Sequence, residues 1–460
     1  MATDKVIKNG TIVTAKSAFD AHVMINDGEI TGITTGEAPP DGDRIIDASG
    51  KLVLPGIVDP HVHIDNEPEN RAGTYEAETQ AAAAGGVTTF IDFAFQGGNR
   101  SMSDPDADLL DGIAHKRAKQ DDAYVDYSLH GVLHREMSAS LEQIAPAIEE
   151  GISSFKMFLS NYKIGVSNGF VHSVLDEIAE LDAVALLHTE DPSVCDSLTE
   201  KLKSKNNGEA TYYPDSRPPY AEAMAADDVL RMVRETGAKY YGVHTTCRES
   251  ADVIEAYQQE LDNVRAETCT HYTALDRSIH ERLGNLPKIA PPIRSPDDIR
   301  AMFEHLAKGT LSVVSTDHSV YHEEYKNVDN WWDSPFGANS LQYTLPIFYT
   351  EAVEKRGHSP SFLVELMSTN PAQTFGFPNK GTLDPGTDAD IVVFDPNETW
   401  TIDEEENLSN STYSIYDGRD VHGAVKQTFL RGELVAEDGE VVVDSPPGRF
   451  VEREIPNWKS

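Results

Sequence analysis

Four stretches of this chain read as apolar strands that end on a side chain able to bind a metal. His61 and His63 close "KLVLPGIVDPHVH", His188 ends "AVALLH", His244 ends "YYGVH" and Asp317 ends "LSVVSTD", while Lys156 sits inside "GISSFKMF". Imidazoles and a carboxylate so far apart in sequence meet only if their strands lie side by side and point the same way. The pattern therefore constrains the fold as much as the chemistry, and it predicts a metal-dependent hydrolase.

The middle of the chain supplies the required strands. Apolar runs at "IVDPHVH", "VTTFIDF", "YVDYSLHGV", "SSFKMF", "AVALLH", "YYGVH", "VRAETCTHY" and "LSVVSTD" alternate with helical stretches such as "SVLDEIAELD", "AEAMAADDVLRMVRETG" and "DDIRAMFEHLAKG". Several of these stretches stop at a glycine, as helix C-termini do. Eight such units over residues 56–377 predict an α/β fold, a (β/α)8 TIM-like barrel. A doubly wound open sheet is the alternative, but a closed barrel better explains ligands drawn from the first, fourth, fifth, sixth and eighth strands. Residues 1–55 and 378–460 read instead as short strands and turns, with hairpin signals at Asn9-Gly10, Asp27-Gly28, Arg431-Gly432 and Asp438-Gly439. They predict one small β-sandwich domain built from both chain termini.

Composition narrows the setting. The 77 Asp and Glu against 38 Lys and Arg give a net charge of −39, spread along the chain. Self-repulsion on this scale is relieved by salt, so the chain reads as halophilic, adapted to a salt-rich cytoplasm; the same charge disfavours nucleic acid and anionic membranes as partners. The start of the sequence has no apolar signal core, and no apolar run reaches the ~20 residues of a membrane span, so a soluble cytoplasmic protein is expected. Cys195, Cys247 and Cys269 form no CxxC pair, which argues against a disulfide framework or a thiolate zinc site.

The candidate ligands have a coherent chemistry. The histidines of "HVH" would share one face of a regular strand. A lone histidine at a strand end is more often a core residue than a ligand, but four together with an aspartate are not. Lys156 repels metal while protonated; burial in an apolar strand lowers its pKa, and the neutral amine can add CO₂ to become an anionic carbamate that bridges two cations. Asp317 can ligate and also accept a proton from activated water. His130 and His134 are assigned to core or rim, and His271 lies close enough in strand order to touch substrate.

These segments closely resemble the amidohydrolase superfamily, in particular its cyclic-amide branch of hydantoinases (dihydropyrimidinases), allantoinases and dihydroorotases. "LPGIVDPHVHID", "AAAAGGVTTFIDF", "SFKMF", "LLHTED", "DSRPPYAEAMA", "GVHTTC", "APPIR", "STDHS", "NPAQTFGF" and "KGTLDPGTDADIVVFDP" match family segments in the family's order. The resemblance implies that His61 and His63 bind one metal, His188 and His244 the other, N6-carboxylated Lys156 bridges them, and Asp317 ligates the first and acts as base. The two divalent ions are expected to be zinc, with manganese or cobalt as alternatives.

Within the branch, dihydroorotases carry an arginine two positions beyond HxH; Asp65 stands there and would repel an anionic ring. Hydantoinases place an oxyanion-stabilising tyrosine five residues after the bridging lysine. Here that place is Asn161, and Tyr162 follows it. The family's substrate-contacting serine before the proline pair is Ala290, which serves only through its backbone. The resemblance thus implies a hydantoinase or dihydropyrimidinase acting on a small neutral cyclic ureide to give an N-carbamoyl amino acid, with allantoinase next, and dihydroorotase or a non-catalytic assembly protein behind. It also implies a homo-oligomer, with a tetramer favoured, because "STYSIYDGRDVHG" resembles the family's assembly region.

Overall fold

The computed structural model describes residues 3–36, 39–64, 72–97 and 108–458. Its centre is a parallel eight-stranded sheet in sequential order. The strands are β1 (Ile57–Asp59), β2 (Val87–Phe95), β3 (Asp126–Val132), β4 (Ser154–Leu159), β5 (Val184–Thr189), β6 (Lys239–Gly242), β7 (Val264–Cys269) and β8 (Val313–Ser315). Almost every strand residue is buried, which is why these runs read as continuous apolar stretches without alternation: helices cover their outer faces and the barrel interior is filled. Closure comes just beyond the strand ends, where Val62 bridges His318 and the His63 amide donates to the His318 carbonyl at 2.7 Å.

The return helices are bounded by local signals. Pro219–Thr236 starts on proline and stops at Gly237 with φ 76°. Pro296–Lys308 starts from a reciprocal Ser295–Asp298 capping box and stops at Gly309 with φ 83°.

Both termini join in one nine-stranded mixed sheet, with Ile391–Thr401 pairing Leu52–Pro55, which in turn pairs Lys5–Val13. Its apolar core is shared between the two ends of the chain, with Ile7, Val23 and Val53 meeting Ile391 and Phe429. Asp27-Gly28 and Asp438-Gly439 are tight turns with positive φ at both residues, as the hairpin signal requires. Asn9-Gly10 is not a turn. It lies inside the Lys5–Val13 strand as a bulge, and a Cβ on Gly10 would stand 2.5 Å from the Val53 side chain. Close packing, not chain reversal, fixes that glycine.

The last residues run beneath the N-terminal ends of the strands. The Val451 amide donates to the Tyr127 carbonyl, the Arg453 guanidinium donates to the Ser128 hydroxyl, and Trp458 donates to the Thr374 carbonyl. One barrel mouth is thereby plugged and the other left for chemistry.

Among the described residues, ten Asp and Glu are buried against nine Lys and Arg. Burial thus removes acid and base almost equally, and the excess of acid falls on the surface. No helix of the described residues is long and apolar enough to cross a membrane.

Candidate metal centre and its surroundings

All six predicted ligands meet at the C-terminal mouth of the barrel, lining one narrow cavity of about 40 Å³. Only Lys156 and His188 lie within strands. The others follow strands that end two or more residues earlier, and the backbone turns to aim them inward. His244 and Asp317 adopt φ of 40° and 45°. Left-handed backbone at residues other than glycine is costly, and His and Asp are among those that tolerate it best, so the strain marks the site.

His61 Nε2 and His63 Nε2 each stand 3.2 Å from Asp317 Oδ1, so both rings of the HxH pair face one carboxylate. Their donor atoms all lie within 4.8 Å of one another. Across the cavity His188 Nδ1 faces His244 Nε2 at 2.9 Å, and the His61 and His244 rings are 5.3 Å apart. Lys156 is fully buried between the pairs, its Nζ 4.9 Å from the centre of the Phe158 ring and 5.6 Å from that of Phe93.

Electrostatics hold three of these imidazoles, His61, His188 and His244, neutral. Burial pushes the His61 and His244 pKa values well below the usual range, and the Lys156 charge adds to the effect. Burial also lowers His188 to about 4, although Glu190 pulls it partly back. Neutral imidazoles with inward lone pairs are the protonation state a cation needs.

Partners outside the cavity fix which nitrogen faces inward. His61 Nδ1 contacts Glu267 Oε1 at 2.5 Å, and with that proton committed to the carboxylate, Nε2 is left as the acceptor. Glu267 also accepts from the Tyr241 hydroxyl and the His244 amide; burial raises its carboxyl to about 7 against those bonds. His188 Nε2 contacts Glu190 Oε2 at 2.9 Å, which orients Nδ1 toward the cavity. Burial pushes Glu190 up, but Arg217 and His188 overrule it and keep the carboxyl below its usual range.

Neither glutamate was assigned a role from sequence, although "HTED" contains Glu190. Glu190 stands only two residues after His188, a local spacing that could have marked it, whereas the Glu267–His61 contact spans 206 positions. The backbone after HxH is held similarly: the Ile64 amide donates to Asp92, and buried Lys116 donates to both the Ile64 carbonyl and Asp92.

Tyr162 lines the cavity, its ring 5.3 Å from that of His188 and 5.4 Å from that of Phe336. Asn161 is turned elsewhere, accepting from Arg217 at 2.5 Å and donating to Asp196 at 2.8 Å. Arg217 is buried, donates to Glu190 at 2.5 Å, and has its guanidinium 5.4 Å from the centre of the Tyr162 ring and 5.0 Å from that of Phe336. One cation thus supports a ring on the cavity wall and the carboxylate behind a candidate ligand. Ala290 also lines the cavity.

His130 is a core residue, with ring nitrogens facing the Ser154 hydroxyl and the Pro60 carbonyl. His134 is buried beside Phe95. His271 does not reach the cavity as its strand order suggested; it is fully buried against Tyr272, with ring centres 4.0 Å apart, because the backbone turns into a short helix at Thr270. Asp65 lies outside the described residues.

Four imidazoles, a carboxylate and a buried amine converging on one cavity are a donor set suited to divalent cations. With that fold and site in place, the chain belongs to the amidohydrolase family, whose model matches residues 52–435. It is similar to the L-hydantoinase of Paenarthrobacter aurescens, 31% identical over 460 residues that cover 98% of each chain. It is also 30% identical to the allantoinase of Salmonella gallinarum over 461 residues, covering 98% of this chain and 99% of that one. The crystal structure of dihydropyrimidinase from Brevibacillus agri superposes with a TM-score of 0.92 at 30% identity, covering 98% of this chain and 99% of that one. Family membership implies a binuclear divalent metal site.

Proposed function

We propose that this enzyme hydrolyses a ring amide bond of a hydantoin or dihydropyrimidine, giving an N-carbamoyl amino acid. The observation that carries the reading is the convergence of His61, His63, His188, His244, Lys156 and Asp317 on a cavity that Tyr162 also lines. In this reading His61 and His63 hold one divalent ion, His188 and His244 the other, N6-carboxylated Lys156 bridges them, and zinc fits the donor set best. The ions supply Lewis acidity, which makes water a nucleophile near neutral pH and polarises the ring carbonyl.

The chain's own groups do the rest. Asp317 accepts the proton of the attacking water and returns it to the leaving ring nitrogen, so the C–O bond forms as the C–N bond breaks. Tyr162 donates its hydroxyl hydrogen to the oxygen on which negative charge develops. Phe158 and Phe336 wall a flat ring, and the Ala290 backbone meets it from the side.

Allantoin is the second candidate, favoured by the equal similarity to an allantoinase. Turnover of hydantoin, dihydrouracil, allantoin and dihydroorotate in molar KCl tests the reading: one of the first two should be the best substrate, with allantoin the runner-up. Preference for dihydroorotate would overturn both the reading and the argument that Asp65 repels an anionic ring.

Tyr162→Phe should lower kcat about 10²-fold with little change in KM, since the lost hydrogen bond strengthens only in the transition state. A silent Tyr162→Phe beside an inactive Asn161→Ala would transfer the role to Asn161.

The surface acid supports a halophilic, cytoplasmic setting. Raising KCl from 0.1 to 2 M should raise the melting temperature by roughly 10 °C; a flat profile would contradict it. A homo-oligomer, tetramer favoured, completes the proposal, although Tyr413, Ile415 and Tyr416 of the segment that suggested it are buried within the chain itself. Light scattering in high salt decides it, a monomer mass counting against.

A further inference from the structure

Two lysines behind the substrate cavity, Lys288 and Lys326, are buried, and neither stands in a motif of the sequence. Lys288 precedes Ile289 and Ala290, which line one side of the cavity; residues 331–337 supply Phe336 and Gly337 on another. The Lys288 ammonium donates to the carbonyls of Trp331, at 2.5 Å, and Ser334, and lies 4.2 Å from the centre of the Phe336 ring. Among the described residues it pairs with no carboxylate, and burial, then the nearby Arg217 charge, pushes its pKa well below the usual lysine range. Lys326, fully buried, donates to the carbonyls of Lys288 and Gly337 at 2.7 Å and of Pro335 at 3.1 Å.

Burying ammonium groups is costly, and apolar side chains would fill the same space at less cost. What ammonium groups add is several N–H donors at one point. Residues 331–337 contain only one short helical turn, at Trp331–Asp333, and leave carbonyls that need partners. The two lysines satisfy four of the loop's carbonyls and the carbonyl of Lys288 itself, which also accepts from the Gly337 amide at 3.0 Å.

We propose that Lys288 and Lys326 are positioning residues, a two-lysine staple that locks residues 331–337 against residues 288–290 and so sets how large a ring substituent the cavity admits. The specificity half of this rests on the proposed ring-opening function; the mechanical half does not.

Hydrogen exchange on the full-length protein, read by mass spectrometry in wild type, Lys326→Met and Lys288→Met, separates the two halves. The staple predicts amide exchange over residues 331–337 roughly tenfold faster or more in each variant, with unchanged exchange in β4 and β5 and unchanged metal content. It further predicts that KM for unsubstituted hydantoin rises about tenfold while kcat stays within about twofold, and that the preference between unsubstituted and 5-aryl hydantoins narrows. Should Lys326→Met fail to fold, Lys326→Gln, which keeps two donors without the charge, is read the same way and should give a smaller acceleration. Wild-type exchange in the loop of the folded variants would overturn the staple. A loosened loop with unchanged KM and unchanged substituent preference would overturn its role in specificity. If wild type opened none of the rings, the exchange result would still decide the staple, and the proposed function would fail on its own.

Discussion

Lys156→Ala should purify with less than about a tenth of the wild-type metal and with kcat lowered by at least about 10³-fold, and a short carboxylate added to the buffer should restore part of the activity. Lys156 is fully buried among four imidazoles, of which burial holds His61, His188 and His244 neutral, on a strand whose register with β5 is fixed at Leu186. A protonated amine there would oppose cation binding, whereas a carbamate supplies the negative charge that the imidazoles lack. Alanine removes that charge and leaves a hole of about the carbamate's size, which acetate or propionate can enter. Full metal content and full activity in the variant would remove the bridging role. Metal loss with no rescue by carboxylates of any size would leave Lys156 a structural residue.

Asp317→Asn should lower kcat by about 10³-fold, within the range expected for removing a general base. The substitution is nearly isosteric, so the backbone at φ 45° and the approach of His61 and His63 should persist. What disappears is the ability to take up a proton and hand it to the leaving nitrogen. KM should move by only a few-fold, because the lost function acts in the transition state. Activity above about a tenth of wild type would mean that the proton travels by another group, with Glu190 and Glu267 excluded by their engagement with His188 and His61.

The barrel was legible because parallel strands buried on both faces leave uninterrupted apolar runs, and the candidate ligands were legible because each except Lys156, which sits inside its run, marks the end of one. The HxH spacing also held: His61 and His63 reach the same carboxylate oxygen although β1 stops at Asp59. Sequence could not give the backbone reversals at His244 and Asp317, since positive φ leaves no trace in a residue type that also occurs in ordinary strands. Nor could it give Glu267 and Arg217 their roles, which exist only once distant segments are adjacent, whereas Glu190 meets His188 across two residues. Sequence also could not give the different directions of Asn161 and Tyr162: the amide finds Arg217 and Asp196, whereas Tyr162 lines the cavity. Asn9-Gly10 misled because the dipeptide suits a bulge as well as a hairpin: only Asn9 takes positive φ, and Gly10 is required by its packing against Val53.

Diffraction recorded at the absorption edge of the bound metal decides whether these residues assemble a two-ion centre across a modified lysine. Two anomalous peaks are expected, one between His61 and His63 and the other between His188 and His244, with continuous density for a carbamate on Lys156 Nζ between them. A single peak, or two peaks beside an unmodified Lys156 in fully active protein, would contradict it.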